Sequence, residues 1–224
     1  MRSFFITSTG TGIGKTLVTT LLCHQLRQQG KRVSAYKPVI SGWEDDDPDS
    51  DTRLIARSLG LGETATTIDS ISPFRYQTPL APNMAARLEQ RILPYEQLIN
   101  CSLPNNSQDY DYHFIEGVGG CMAPLTDEHT VLDWIKALDI PVIVATGSYL
   151  GSLSHTLTAI SVLHAHDIPV SAIIVCESED STVPLNDTVD TLAQFTGKTT
   201  VKILRLESEK GLFWKQAPDL TVYL

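Results

Sequence analysis

The residues Thr9-Gly10-Thr11-Gly12-Ile13-Gly14-Lys15-Thr16 combine what is needed to hold a polyphosphate. Glycines let a backbone fold into a concavity lined with N–H groups. Lys15 can reach the β- and γ-phosphates of a nucleoside triphosphate, and the Thr16 hydroxyl can ligate a magnesium ion. The pattern G-x-x-x-x-G-K-[ST] asks for glycine where this chain has Thr9, so the loop is a variant. Gly10 and Gly12 supply the flexibility one and three places later. A glycine-rich β–α turn without function is the bland alternative. Against it, Gly14-Lys15-Thr16 falls at a strand-to-helix junction, the setting in which a phosphate loop works.

Two acids and a second lysine extend this chemistry. Lys37 closes the run Val33 to Lys37 and precedes Pro38. In open α/β sheets ligands bind beyond the carboxyl ends of strands, which puts Lys37 beside the loop. Read as a plain surface lysine, it would need no partner. Asp51 ends the acidic run Glu44 to Asp51, most of which reads as a solvated loop, and stands at the start of a helix over 52–59. A carboxylate there either caps the helix or turns inward to a cation. Glu116 ends the apolar run Tyr112 to Ile115 and is followed by Gly117-Val118-Gly119-Gly120. A carboxylate at such a strand end holds magnesium in phosphate-loop enzymes. Its alternative is an exposed acid before a flexible turn. A second anion site is offered at Gly151-Ser152-Leu153-Ser154, the first turn of another helix. His155 there reads as a packing or capping residue. His164 and His166 are two apart on a helix and do not face one another, so no metal is assigned to them.

The elements that must position these groups follow the pattern of a parallel α/β sheet. Strands are expected at Ser3–Ile6, Lys31–Lys37, Tyr112–Ile115, Ile140–Ala145, Val170–Cys176 and Thr200–Leu204. Ile140–Ala145 is apolar nearly throughout, as in a strand buried on both faces. Helices are expected at Leu17–Gln28, Thr52–Leu59, Asn83–Gln90, Thr130–Leu138, Leu153–His166 and Leu185–Phe195. Leu17, Val18, Leu21, Leu22 and Leu26 recur at helical spacing, and Gly30 suits the C-terminus. The first strand, first helix and second strand make a right-handed βαβ unit. Residues 64–100 carry turn signals at Pro73, Pro79 and Pro82 and little else. Asn100–Asp109 reads as loop.

Composition narrows the class. A chain of 224 residues with 42% hydrophobic residues reads as one α/β domain over 1–224. The formal charge of -9 argues against nucleic acid. No run of about 18 apolar residues marks a membrane span, and no signal peptide is visible, so the expectation is a cytoplasmic protein. Cys23, Cys101, Cys121 and Cys176 are scattered and read as reduced packing residues, not a zinc site.

Three stretches together resemble the dethiobiotin synthetase family: Thr9-x-Thr11-x-x-Gly14-Lys15-Thr16, Tyr36-Lys37-Pro38-Val39-x-Ser41-Gly42, and Glu116-Gly117-x-Gly119-Gly120. Ser50-Asp51 and Leu150-Gly151-x-x-x-His155-Thr156 match further family motifs. The resemblance runs in order from residue 1 to about 176. It implies a homodimer of phosphate-loop subunits with a mostly parallel sheet. It also implies an ATP- and Mg2+-dependent ureido ring closure on 7,8-diaminopelargonic acid, with carbon dioxide or bicarbonate as the carbon source. Under it, Gly12, Ile13, Gly14, Lys15, Thr16 and Leu17 hold the nucleotide, with Gly117, Val118 and Gly119 alongside. Thr16, Asp51 and Glu116 hold magnesium. Lys15 and Lys37 are catalytic. Thr11, Lys37, Ser41 and Gly120 contact the diamine, and Gly151, Ser152, Leu153 and Ser154 hold its carboxylate across the dimer interface.

Departures from that pattern fall late in the chain. Ser8 stands where the family commonly has glycine, a change that fits if its φ is negative. Cys176-Glu177-Ser178 replaces the family's Asn-Asp, leaving Glu177 as the acceptor near the base. The Gly-x-Ile-Pro stretch is not recognisable in Val201 to Glu207. The expectation is ATP use with weak base discrimination. Two rivals share the fold. A partitioning-type ATPase switch usually carries a lysine at the position of Gly10. Another ATP-dependent synthetase, of the kind acting on corrin acids, typically appends a glutaminase domain.

Overall fold

A computed structural model describes residues 1–104, 106–179, 181–197, 200–203 and 217–224. The strands β1 (Arg2–Ser8), β2 (Val33–Tyr36), β5 (Tyr112–Glu116), β6 (Val142–Gly147), β7 (Val170–Cys176) and β8 (Thr200–Ile203) form one sheet in the order β2-β5-β1-β6-β7-β8. Every neighbouring pair is parallel. β3 (Val39–Ser41) and β4 (Phe74–Tyr76) make a separate two-stranded parallel sheet.

Helix α1 (Lys15–Gln28) follows β1, and α2 (Asp51–Ser58) and α3 (Ala65–Ile71) pack near β2. Then come α4 (Pro82–Leu88), α5 (Tyr95–Cys101), α6 (Val131–Leu138), α7 (Ser152–Ala165) and α8 (Leu185–Thr196). α1 is closed by Gly30 at φ 75, whose N–H reaches the Arg27 carbonyl at 2.9 Å.

β1 shows why the sheet is covered on both faces. Phe5 belongs to the core that also holds Val144, Trp134 and Leu163. Its neighbours Phe4 and Ile6 belong to the opposite core with Leu21, Leu22, Leu26 and Ile143. Side chains alternate across a strand, so an all-apolar strand feeds two cores at once. Each such side chain, fully buried, contributes about 1.5–3 kcal/mol.

The structure corrects several sequence expectations. The second strand ends at Tyr36, so Lys37 stands one residue beyond it. Within residues 64–100, where the sequence offered turn signals and one helix, α4 matches the expected helix, and α3, β4 and most of α5 are added. The stretch 100–109 contains the end of α5 and a 3-10 turn at Ser107–Asp109. The expected end of the last strand at Leu204, and Leu204 to Glu207 of the departing stretch, lie outside the described residues.

Candidate active site

β1 runs directly into the loop 9–14, and α1 begins at Lys15. Gly12 has φ 71 and Gly14 φ 97, conformations open chiefly to glycine. A Cβ on Gly14 would also meet Cys176 Sγ at 2.5 Å. No side chain caps the N-terminus of α1, so its first N–H groups and its positive dipole end face the loop. Ser8 has no positive φ, and its change from glycine is accommodated.

Lys15 is buried, and its ammonium has three hydrogen-bond acceptors: Ser8 Oγ at 3.0 Å, Gly10 O at 3.0 Å and Gly119 O at 2.9 Å. An ammonium has three N–H donors, so all are used. Burial, then the nearby Lys37 charge, pushes its pKa down to about 8.

The first residue of α2 is Asp51, and Ser50 before it makes no side-chain cap. Asp51 takes the inward of its two alternatives: its Oδ1 accepts from Thr16 Oγ1 at 2.7 Å, and Oδ2 accepts from Lys37 Nζ. Glu116 is fully buried at the end of β5. Its Oε1 accepts from Lys37 Nζ at 2.7 Å and lies 2.7 Å from Thr16 Oγ1, and its Oε2 accepts from Thr19 Oγ1 at 2.6 Å. Lys37 is thus not a plain surface lysine and Glu116 not an exposed acid. Burial opposes the Lys37 charge, but Glu116 and Asp51 outweigh it and push its pKa up. Burial likewise opposes the Asp51 charge, but Lys37 and its hydrogen bonds hold its pKa below the ordinary carboxylate value.

The Thr16 hydroxyl carries one hydrogen and faces two carboxylate oxygens at 2.7 Å. It can donate to only one at a time, so a second oxygen–oxygen contact stands without a proton. Hard oxygen donors so crowded suit a magnesium ion. Among the described residues no three His, Cys, Asp or Glu side chains group to hold a metal by themselves. A metal here would therefore draw its remaining ligands from phosphate or water.

Thr11, Gly12, Ile13, Gly14, Lys15, Thr16, Lys37, Ser41, Asp51, Val118, Gly119 and Gly120 line one cleft of about 730 Å3. Gly120 lies against the phosphate loop, where a Cβ would stand 3.3 Å from Ser8 O, and Gly117 packs behind it on Phe5. Sequence reasoning missed Ile40 and the wall Pro79-Leu80-Ala81-Pro82. It also missed Thr19, whose spacing of three from Thr16 on one helix face was the available signal.

Glu116 and Gly117 stand behind the cleft lining, and three further groups of expected site residues lie apart from it. Leu17 packs against the core on the α1 face. Gly151, Ser152, Leu153 and Ser154 form the first turn of α7 and do not line the cleft. Glu177 follows β7 and does not line it either. His155 pairs with the Tyr149 hydroxyl at 2.9 Å on the surface. A second cavity of about 390 Å3 lies between Thr9, Gly120 and Met122 on one side and His155, Thr158 and Val162 of α7 on the other.

Comparison with known proteins supplies the remaining findings. A family model described as an AAA domain matches residues 2–212. The chain is 45% identical over 203 residues to the ATP-dependent dethiobiotin synthetase BioD of Caulobacter vibrioides (strain NA1000 / CB15N), covering 90% of this chain and 91% of that protein. It is 40% identical over 216 residues to the ATP-dependent dethiobiotin synthetase BioD of Methylobacterium nodulans, covering 92% and 94%. Among solved structures, a ParA family ATPase from Chlorobium tepidum TLS superposes with a TM-score of 0.54 at 16% identity, over 96% of this chain and 90% of that one. That last likeness concerns the fold alone.

Proposed function

The chain belongs to the ATP-dependent dethiobiotin synthetase family, an ATP-dependent ligase family of biotin biosynthesis, and on that premise we propose the reaction and the role of each residue. One amine of 7,8-diaminopelargonic acid adds to carbon dioxide and loses a proton, giving a carbamate. The carbamate oxygen attacks the γ-phosphorus of ATP, and ADP leaves. The second amine attacks the carbamoyl carbon, phosphate leaves, and the ureido ring of dethiobiotin is closed.

The observation that carries this reading is the convergence of Lys15, Thr16, Lys37 and Asp51 at one cleft wall, with Glu116 buried directly behind it and bonded to Lys37. A carbamate and a triphosphate repel each other, and two ammonium groups offset that repulsion. Lys15 binds the β- and γ-phosphates. Lys37 holds the carbamate oxygen toward phosphorus. Thr16, Asp51 and Glu116 would hold magnesium, which would neutralise charge on the phosphates. Little covalent work is left to the protein, and alignment of the reactants is worth about 7–11 kcal/mol of barrier. Thr11, Ser41 and Gly120 position the diamine in the same cleft.

The turn 151–154 lies outside the cleft of its own chain, which supports its serving a second copy. Met122, 51% exposed, lines the cavity beside α7, and Leu150, 87% exposed, stands just before that helix; both fit burial in such a homodimer. Among the described residues no helix is long and apolar enough to cross a membrane.

Supplying the diamine, bicarbonate, magnesium and ATP should yield dethiobiotin by mass spectrometry, with none formed when ATP or diamine is left out. ATP hydrolysis without dethiobiotin would favour the partitioning-type switch instead.

A further inference from the structure

Thr9 stands where the phosphate-loop pattern asks for glycine, and the structure gives that side chain a task. Its φ is not positive, so a Cβ is admitted. Its Oγ1 lies 3.1 Å from Thr146 Oγ1, at the end of β6. Thr146 Oγ1 lies 2.8 Å from Thr156 Oγ1 in α7. Thr156 Oγ1 donates to the carbonyl of Ser152, in the first turn of α7, at 2.6 Å.

The last bond fixes the direction of the others. The single hydrogen of Thr156 goes to a carbonyl, which can only accept. Thr146 must then donate to Thr156, and Thr9 must donate to Thr146. Three hydroxyls thus form a one-way chain from the entry of the phosphate loop to the turn that opens α7. Thr146 and Thr156 are both fully buried. In such surroundings hydrogen bonds in series strengthen one another, and an unpaired hydroxyl is costly. A backbone bond runs alongside, from the Thr9 N–H to the Ala145 carbonyl at 3.2 Å.

We propose that Thr146 is a positioning residue: it fixes where the phosphate loop begins relative to the first turn of α7. This rests on the reading of the loop as the ATP site. Thr146 does not line the cleft, and it acts through Thr9. Valine at 146 keeps the shape and suits a strand, but it can neither accept from Thr9 nor donate to Thr156. Thr9 is half-buried and would then turn to solvent, so the loss falls on the loop.

The test compares Thr146→Val, Thr146→Ser, Thr9→Val and the Thr9→Val/Thr146→Val pair by calorimetric titration with ATP and magnesium, alongside thermal melts. Thr146→Val is expected to weaken ATP binding about three- to tenfold, the range of one lost hydrogen bond. Its melting temperature should stay close to that of the unaltered protein. Thr146→Ser should restore the affinity. Thr9→Val should match the loss, and the pair should lose no more than either alone, because one link has been cut twice. Equal affinity in Thr146→Val, a serine variant as weak as the valine one, or additive losses would each overturn the proposal. Thr9→Val against the unaltered chain decides the matter if Thr146→Val does not fold. ATP binding by the unaltered chain reads the phosphate-loop assignment; the ratios among variants read Thr146.

Discussion

Lys37 Nζ lies 2.7 Å from Glu116 Oε1, with both side chains shut away from solvent. Removing one member of a buried pair leaves the other uncompensated, at about 3–5 kcal/mol. Glutamine at 37 keeps a donor but no charge, so Lys37→Gln should melt several degrees lower yet stay folded. It should keep ATP affinity within about tenfold, since its partners are carboxylates and the loop remains. Turnover should fall by a hundredfold or more, measured as dethiobiotin formed per enzyme. Turnover equal to that of the unaltered chain would refute the role given to Lys37.

Lys15→Ala removes the charge meant for the phosphates and the ammonium that ties Gly10 to Gly119. Charge-assisted bonds are worth about 1.5–3 kcal/mol, so ATP affinity should fall roughly 10- to 100-fold by calorimetry. An alanine variant that binds ATP equally well would count against the loop as the nucleotide site.

Gly14→Ala meets two obstacles, a φ of 97 and Cys176 Sγ at 2.5 Å from the new carbon. The backbone alone costs about 1–2 kcal/mol. The variant should melt lower and bind ATP weakly. Adding Cys176→Ala should recover part of the loss only, because the φ obstacle remains. Full recovery in the double variant would show the thiol contact to be the whole cause.

His113 governs a pH response at β5. It is fully buried, with Nδ1 at 2.7 Å from Ser34 Oγ and Nε2 at 2.7 Å from Ser102 O. Burial pushes its pKa down to about 4, against those hydrogen bonds. The unfolded chain binds this proton near pH 6.5, so between the two values it holds more protons than the folded one. The contribution is complete above about pH 6.5 and is lost as pH falls toward 4, by about 3 kcal/mol. Denaturant unfolding from pH 7 to 4.5 should show it, and His113→Gln, which keeps a donor for Ser102, should flatten that slope. An unchanged slope in the variant would remove His113 as its source.

Replacement of the family's Asn-Asp by Cys176-Glu177 bears on the nucleotide base. Cys176 is buried beneath Gly14 and offers no strong donor. Turnover with ATP, GTP and CTP should differ less than tenfold, compared at matched concentrations. A strict preference for ATP would contradict this.

Much of the site was legible because its chemistry is local in sequence. Gly14-Lys15-Thr16 declares itself by type and spacing, and Glu116 by its place at a strand end. Asp51 was open between two orientations, since only the fold shows that α2 points its first residue at Thr16 and Lys37. The two-stranded sheet of β3 and β4 left little signal, because three-residue strands carry no periodicity. The neighbouring α3 anchors Lys37, whose backbone N–H reaches the Ile71 carbonyl at the end of that helix. The Thr9–Thr146–Thr156 chain was illegible for another reason: its members are distant in sequence, and threonine in a strand or helix signals nothing by itself.

The strand order has a consequence for how the molecule is made. β1 sits between β5 and β6, whose residues are translated more than a hundred positions later. At about 5–20 residues per second, Phe4-Phe5-Ile6 waits roughly 7 to 30 s on the ribosome before both flanking partners exist. Through that interval the nascent chain carries a sticky, unpaired segment, which makes it a natural client for chaperones that shield short apolar stretches.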